Sequence, residues 1–221
     1  MIHIVGLTGA GWRRKFRLAL LVLACQFSTA HATEISIGQT AELIDYDNVS
    51  ERSVAIADVS NPTVPGKTFI AATVIGSSIE KLCSTITNYP EYPKFMPNME
   101  KTSVVSSTDE STVIEMTLKL PLGKMKKYRL KMQSVIVPLS CYVSWKLVPW
   151  EGLQQSETIT DTSGYWQFTP DPKDSSKTLV KYYVFADPGP IPYGLGWIVG
   201  ILTKVSLPRT LEALRERVAV K

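Results

Sequence analysis

The stretch "KKYRLKMQSVIVP", Lys126–Pro138, decides the fold class. Tyr128, Leu130 and Met132 alternate with Lys127, Arg129, Lys131 and Gln133. Side chains of a strand point to opposite faces in turn, so this pattern gives one dry and one wet face. That is the signature of a half-solvated antiparallel sheet.

Working outward, the period persists. In "TVIEMTLKLPLG" (Thr112–Gly123), Ile114, Met116, Leu118 and Leu120 share a face, which leaves Glu115 on the solvated side. In "CYVSWKLVPW" (Cys141–Trp150), Val143, Trp145 and Leu147 do. Trp166 and Phe168 are in phase within "TITDTSGYWQFTPD". "EKTSVVSS" (Glu100–Ser107) and "TLVKYYVFADP" (Thr178–Pro188) read as further strands, with the phase of Tyr182 and Tyr183 ambiguous. About six strands thus follow one another through short turns.

Upstream, "KTFIAATVI" (Lys67–Ile75) is a β-branched apolar strand. A helix follows: Ser77 and Glu80 form a capping box, and Ile79, Leu82, Cys83 and Ile86 recur at helical spacing. Pro90 ends it. "NYPEYPKFMPNM" (Asn88–Met99) then reads as a loop, because three prolines exclude an α-helix or central strand. Its apolar Tyr92, Phe95 and Met96 either gate a ligand or plug the end of the sheet.

Downstream, "GPIPYGLGWIVGILTKVSLPRTLEALRERVAV" predicts a closing helix, with Pro192 in the first turn. Leu195, Ile198, Leu202 and Val205 mark one stripe, continued by Leu211, Leu214 and Val218. Arg209, Glu212, Arg215, Glu216 and Arg217 are expected in solvent, and Pro208 should kink or restart the helix. Gly194, Gly196 and Gly200 thin the helix start, for close packing or for movement.

Residues 1–32 differ from the rest. A basic cluster (Arg13, Arg14, Lys15, Arg17), an apolar run and the small-residue end at Ala30, His31 and Ala32 follow the order of a secretory signal peptide. "RRKFR" loosely resembles a twin-arginine signal. "VLAC", ending at Cys25, resembles a lipoprotein box that would tether the chain to a membrane, but "AHA" at Ala32 is the better cleavage site. The chain is therefore expected in the periplasm or outside the cell. Residues 33–66 form an extension with one added strand near "SVAIADV".

Cutting after Ala32 removes four basic residues and no acidic one, so the 189 residues left are formally neutral. Nucleic acid, which wants a basic footprint, is not an expected partner. Both histidines, His3 and His31, leave with the signal. Ser-His and Cys-His nucleophiles and His-ligated metals are thereby excluded from the mature chain. No phosphate loop or metal-ligand spacing occurs, so no cofactor is expected. Cys83 and Cys141 remain, either as the one disulfide available to them or as two buried thiols.

The segments "TNYPEYPKFMPNMEKTSVV", "GYWQFTPDP", "TLVKYYVFADPGPIPYGLGWIV" and "LPRTLEALRERV" resemble START-like proteins of the SRPBCC superfamily. The branch is that of polyketide cyclase and coenzyme Q-binding domains, and the likeness runs from Phe69 to Val218. It implies an α+β helix-grip fold over residues 67–221. In that fold a curved antiparallel sheet wraps a long C-terminal helix, with a hydrophobic cavity between them. By that resemblance Tyr92, Phe95 and Met96 lie at the mouth, and Trp197 starts the closing helix. Met116, Leu118, Tyr128, Leu130, Met132, Trp145, Trp166 and Phe168 line the dry face, with Tyr128 and Tyr183 as polar contacts. The expected function is binding or carriage of a hydrophobic small molecule or lipid, without catalysis and with transient membrane contact open. A cyclase or aromatase using the same cavity and a cell-envelope interaction module are the alternatives.

Overall fold

The computed structural model describes residues 43–120, 123–189 and 197–219, the side chains of residues 197–204 excepted. Residues 1–32, read above as a signal peptide and including Cys25 and Ala32, lie outside the described residues, as do Pro192, the glycines at 194 and 196 and Leu195. So do the side chains of Trp197, Ile198 and Leu202. Eight strands form one antiparallel sheet: β1 (Ala55–Asp58), β2 (Lys67–Ile75), β3 (Met99–Ser107), β4 (Thr112–Lys119), β5 (Met125–Val137), β6 (Ser140–Val148), β7 (Asp161–Pro170) and β8 (Thr178–Asp187). Their spatial order is β1-β2-β8-β7-β6-β5-β4-β3. The six consecutive strands pair through hairpins, and β2 closes onto β8 from far upstream, Ala71 opposite Tyr182.

Helices α1 (Ile79–Thr87) and α2 (Trp197–Ala219) cover one face, called the inner face below. Leu82, Cys83 and Ile86 of α1 and Leu211, Leu214 and Val218 of α2 are buried in one cluster with the inner strand residues. Each fully buried aliphatic side chain stabilises by about 1.5–3 kcal/mol. The cysteines are bonded: Cys83 of α1 meets Cys141 of β6, with Cα atoms 6.1 Å apart. This fastens α1 to the middle of the sheet.

The residues before β2 build a second, smaller core on the outer face. Ile44 and Val49 pack there against Ile70, Ala72, Val74 and Leu179. Strand β2 is therefore buried on both sides over Ile70–Ile75. This explains its unbroken apolar run, which alternation alone does not predict.

Several expectations need correction. The α1 cap is Ser78, whose Oγ accepts from the Lys81 backbone N–H at 3.2 Å. Ser77 is held one position outside, its carbonyl accepting from the Thr178 hydroxyl at 2.7 Å. The proline-rich stretch is not an irregular loop: Tyr89–Lys94 is a 3-10 helix with Pro90 in its first turn and Pro93 inside. So short a helix has few internal N–H bonds for a proline to remove.

Helix α2 runs through Pro208 without restarting. Val205 is 41% exposed and does not continue the buried stripe. Arg215 is not solvated. It is half-buried, and its guanidinium donates to the Thr73 hydroxyl of β2 at 2.5 Å. Thr73 in turn donates to the carbonyl of Ser53 at 2.9 Å, so one contact chain links α2, β2 and the N-terminal segment.

Candidate functional site on the inner sheet face

Cross-strand partners share a face, so the register sorts every residue. Thr102, Met116 and Tyr128 form one row across β3, β4 and β5. Ile114, Leu130 and Leu147 form the next. Met132 pairs with Trp145, Trp145 with Gly164, Val143 with Trp166, and Trp166 with Tyr182. These residues, with Phe168, make the inner face beneath the helices. Met116, Tyr128, Leu130, Met132, Trp145, Trp166 and Phe168 are buried in its cluster, and Leu118 packs against them partly exposed.

Its centre is an aromatic wall. Tyr182 lies between two indoles, 5.6 Å from Trp145 and 4.2 Å from Trp166, and Trp166 stacks on Phe168 at 6.1 Å. Such offset pairs add about 0.5–1.5 kcal/mol each beyond their burial. Gly164 makes the arrangement possible. A Cβ there would come within 2.3 Å of the Trp145 ring and of the Tyr183 carbonyl. The indole therefore crosses β7 where no side chain rises.

Tyr183 belongs elsewhere. It points to the outer face, where its ring stacks on Tyr165 at 5.3 Å and packs on the second core. Tyr182 takes the position expected of it. Both faces of β8 are apolar because the N-terminal segment covers the outer one. The Tyr182–Tyr183 doublet therefore carried no phase, and only pairing with Trp166 reveals it.

The proline-rich segment closes one side. Tyr92 is buried, donates to the Ile86 carbonyl at 2.6 Å, and meets Tyr89 and Phe95 edge-on, each at 5.8 Å. Phe95 and Met96 are partly buried against the same cluster. Arg217 of α2 lies over Phe95 at 5.8 Å and pairs with Glu91 at 2.9 Å. The segment is thus tied both to α1 and to the end of α2. Glu115, as its phase requires, faces outward and pairs with Arg129 at 2.7 Å.

The buried tyrosines of the inner face are neutral, whereas Arg215 and Lys126 bring charge to its margins. Burial pushes the Tyr128 hydroxyl up to about 12. Burial also holds Tyr182 well above its ordinary value, and the nearby Tyr128 adds to the rise. Tyr92 is raised by burial first, then by Tyr89 and Tyr182. Thr102, which sequence reading passed over as one polar residue in a polar strand, is 8% exposed, and its Oγ1 has no hydrogen-bond partner. A buried hydroxyl without a partner costs about 1–3 kcal/mol, so it calls for a physical account. At the rim, Lys126 shares the inward phase and donates to the Thr158 carbonyl at 2.5 Å. Desolvation, then Lys124, lowers its pKa. Among the described residues no group of His, Cys, Asp and Glu is placed to hold a metal.

No family model and no curated protein matches this sequence. Solved structures do match in fold. A STAR-related lipid transfer protein from Xanthomonas axonopodis (fragment 25–204) aligns at TM-score 0.64 and 17% identity, over 75% of this chain and 93% of that one. Human StAR-related lipid transfer protein 5 aligns at 0.64 and 13% identity, over 75% and 82%. The di-domain ARO/CYC of the steffimycin biosynthetic pathway aligns at 0.52 and 14% identity, over 69% of this chain and 52% of that one. The fold is therefore the START-like helix-grip fold, an α+β architecture whose long C-terminal helix packs on one antiparallel sheet.

Proposed function

We propose that this protein is an exported, non-catalytic binder or carrier of a hydrophobic small molecule or lipid, held against the inner face beneath α2. The observation that carries the reading is the apolar, aromatic-walled inner face with one buried hydroxyl, that of Thr102, left unpartnered. Ligand sites of this kind are mostly apolar with a few polar groups that fix orientation. Affinity comes from apolar area removed from water, at about 25 cal/mol per Å². Thr102 supplies the orienting hydrogen bond. The lipid-transfer proteins that share the fold support a hydrophobic ligand. Export rests on the signal-like pattern of residues 1–32, and the Cys83–Cys141 bond suits an oxidising compartment.

The cyclase alternative draws on the ARO/CYC likeness. It needs an acid or base poised near the working pH. The inner tyrosines are pushed away from that range, which favours binding over proton transfer. The test is native mass spectrometry of the protein purified from its own host, with extraction of what co-purifies. A bound apolar molecule released unchanged supports the reading. Delipidated protein that takes up no lipid, isoprenoid or apolar fluorescent probe overturns it.

A further inference from the structure

The β5–β6 hairpin ends in an apolar tip that no described residue covers. Val135, Ile136, Val137 and Leu139 are 59, 66, 51 and 72% exposed. They form one run with Pro138, "VIVPL", and no charged residue occurs between Lys131 and Lys146. The hairpin is well built. Val137 pairs with Ser140 across Pro138 and Leu139, and Leu139 takes the left-handed conformation, φ 63°, that the tight turn requires. The tip also projects. Strand β4 starts at Thr112, opposite Met132, so Gln133–Val137 run past the end of β4.

We propose that this tip docks the protein onto a lipid bilayer by shallow insertion into its apolar interface. Three observations favour a bilayer over a protein partner. First, Val135 and Val137 alternate with Ile136, so both faces of the hairpin are apolar. A protein surface covers one face of a hairpin, whereas a bilayer surrounds both. Second, the tip offers only a few hundred Å² of apolar surface, well short of the about 800 Å² per partner of a stable interface. Third, the tip is uncharged, and the β3–β4 turn beside it brings Asp109 and Glu110 to the same end of the sheet. An anionic surface would be repelled there, so a zwitterionic one is the expected partner.

The backbone limits the depth. Past Met132 the β4-facing edge of β5 has no strand partner, and unsatisfied backbone groups do not enter the hydrocarbon core. Insertion stops at the interface sooner still, because Cys141, opposite Ile136, is bonded to α1, so the turn at Val137–Leu139 and the Ile136 side chain are what enters. No described helix is long and apolar enough to cross a membrane. A membrane-spanning strand needs about 9–11 residues and only Gln133–Val137 run past β4, so the tip rests on the bilayer and does not span it. This inference is independent of what the inner face binds.

The test is flotation of the full protein with phosphatidylcholine vesicles, at low and high salt. Binding should be nearly the same at both. The Ile136→Glu, Leu139→Glu double variant should partition at least tenfold less, with an unchanged melting temperature, since both side chains already face solvent. Leu139→Trp should be quenched by brominated acyl chains beyond the wild-type signal. Wild-type protein that stays unbound, a double variant that floats equally well, or binding abolished by salt overturns the proposal. So does a wild-type dimer in sedimentation that the double variant converts to monomer, because the tip would then be a protein interface.

Discussion

Replacing Thr102 with valine separates a hydroxyl kept for a ligand from one that merely sits in the core. The exchange keeps the β-branched shape, which suits a strand, and removes only the hydrogen-bonding atom. In the unligated protein that atom is buried without a partner. Its removal should return the desolvation cost, about 1–3 kcal/mol. For a domain of this size each kcal/mol moves Tm by about 2–4 °C, so the delipidated variant should melt roughly 2–12 °C higher. Binding should move the other way. A neutral hydrogen bond contributes about 0.5–1.5 kcal/mol, a loss of roughly 2- to 10-fold in affinity. The assay is displacement of an apolar fluorescent probe by a long-chain alcohol and by the alkane of equal length. The valine variant should bind the alcohol less well and the alkane unchanged, and Thr102→Ser should restore the alcohol. A lower Tm for the valine variant would mean that the hydroxyl is satisfied within the protein. A higher Tm with both ligands unaffected would mean that Thr102 is no anchor. Either outcome refutes the reasoning.

Three further outcomes are expected. Cys83→Ala with Cys141→Ala opens a loop with a sequence separation of 58 residues. The chain-entropy relation puts its closure at about 4 kcal/mol, read as a lower denaturant midpoint with a steeper slope, because the unfolded chain without the cross-link exposes more surface. Trp166→Ala should abolish probe uptake and cost about 3–5 kcal/mol, whereas Tyr183→Ala on the outer face should destabilise yet leave probe affinity within about twofold. The inner tyrosines also set an alkaline limit. The folded pKa of Tyr128, about 12, exceeds the unfolded value of 10.0, so the folded state holds its proton longer. The linked stability is intact below pH 10 and falls as pH rises from 10 towards 12. Tyrosinate absorbance should therefore rise in a cooperative step coincident with loss of structure. A smooth titration near 10 with the fold intact would contradict the burial of Tyr128.

The sheet was legible where one face meets water. Strands β4, β5 and β6 alternate because their outer sides carry Glu115, Lys127, Arg129, Lys131 and Lys146, and period two then reads directly as inside and outside. It was illegible where both faces are covered. β2 and β8 are sandwiched between the helices and the segment around Ile44 and Val49, so hydrophobicity stops reporting orientation. That is how Tyr183 was expected inside and Tyr182 was not. Prolines misled for a related reason. They exclude long regular hydrogen-bonded structure, yet six residues of 3-10 helix need too little of it to be excluded. Arg215 was assigned to solvent by its charge. Which surface its helix position meets depends on Thr73, 142 residues away in sequence.

The candidate site was legible as an apolar face but not as a recognition surface, because its distinguishing features are pairings. Thr102 stands in "EKTSVVSS", where nothing marks it off from Ser103 or Ser106. It becomes unusual only when β3 pairs with β4 and places it opposite Met116, in the row that ends at Tyr128. Gly164 is similar: a glycine in a strand signals close approach, but only the register names Trp145 as what approaches. The aromatic wall and its orienting hydroxyl therefore depend on long-range register, so changes that slip register should damage recognition before they damage the hydrophobic core. The two irregularities in β3, between Met99 and Lys101 and between Val104 and Ser106, bracket Thr102 and hold its phase. Inserting one residue after Val105, which lies between Thr102 and the β3–β4 turn that sets the register, should turn Thr102 outward, and ligand discrimination should fail while the core clusters of α1 and α2 remain packed.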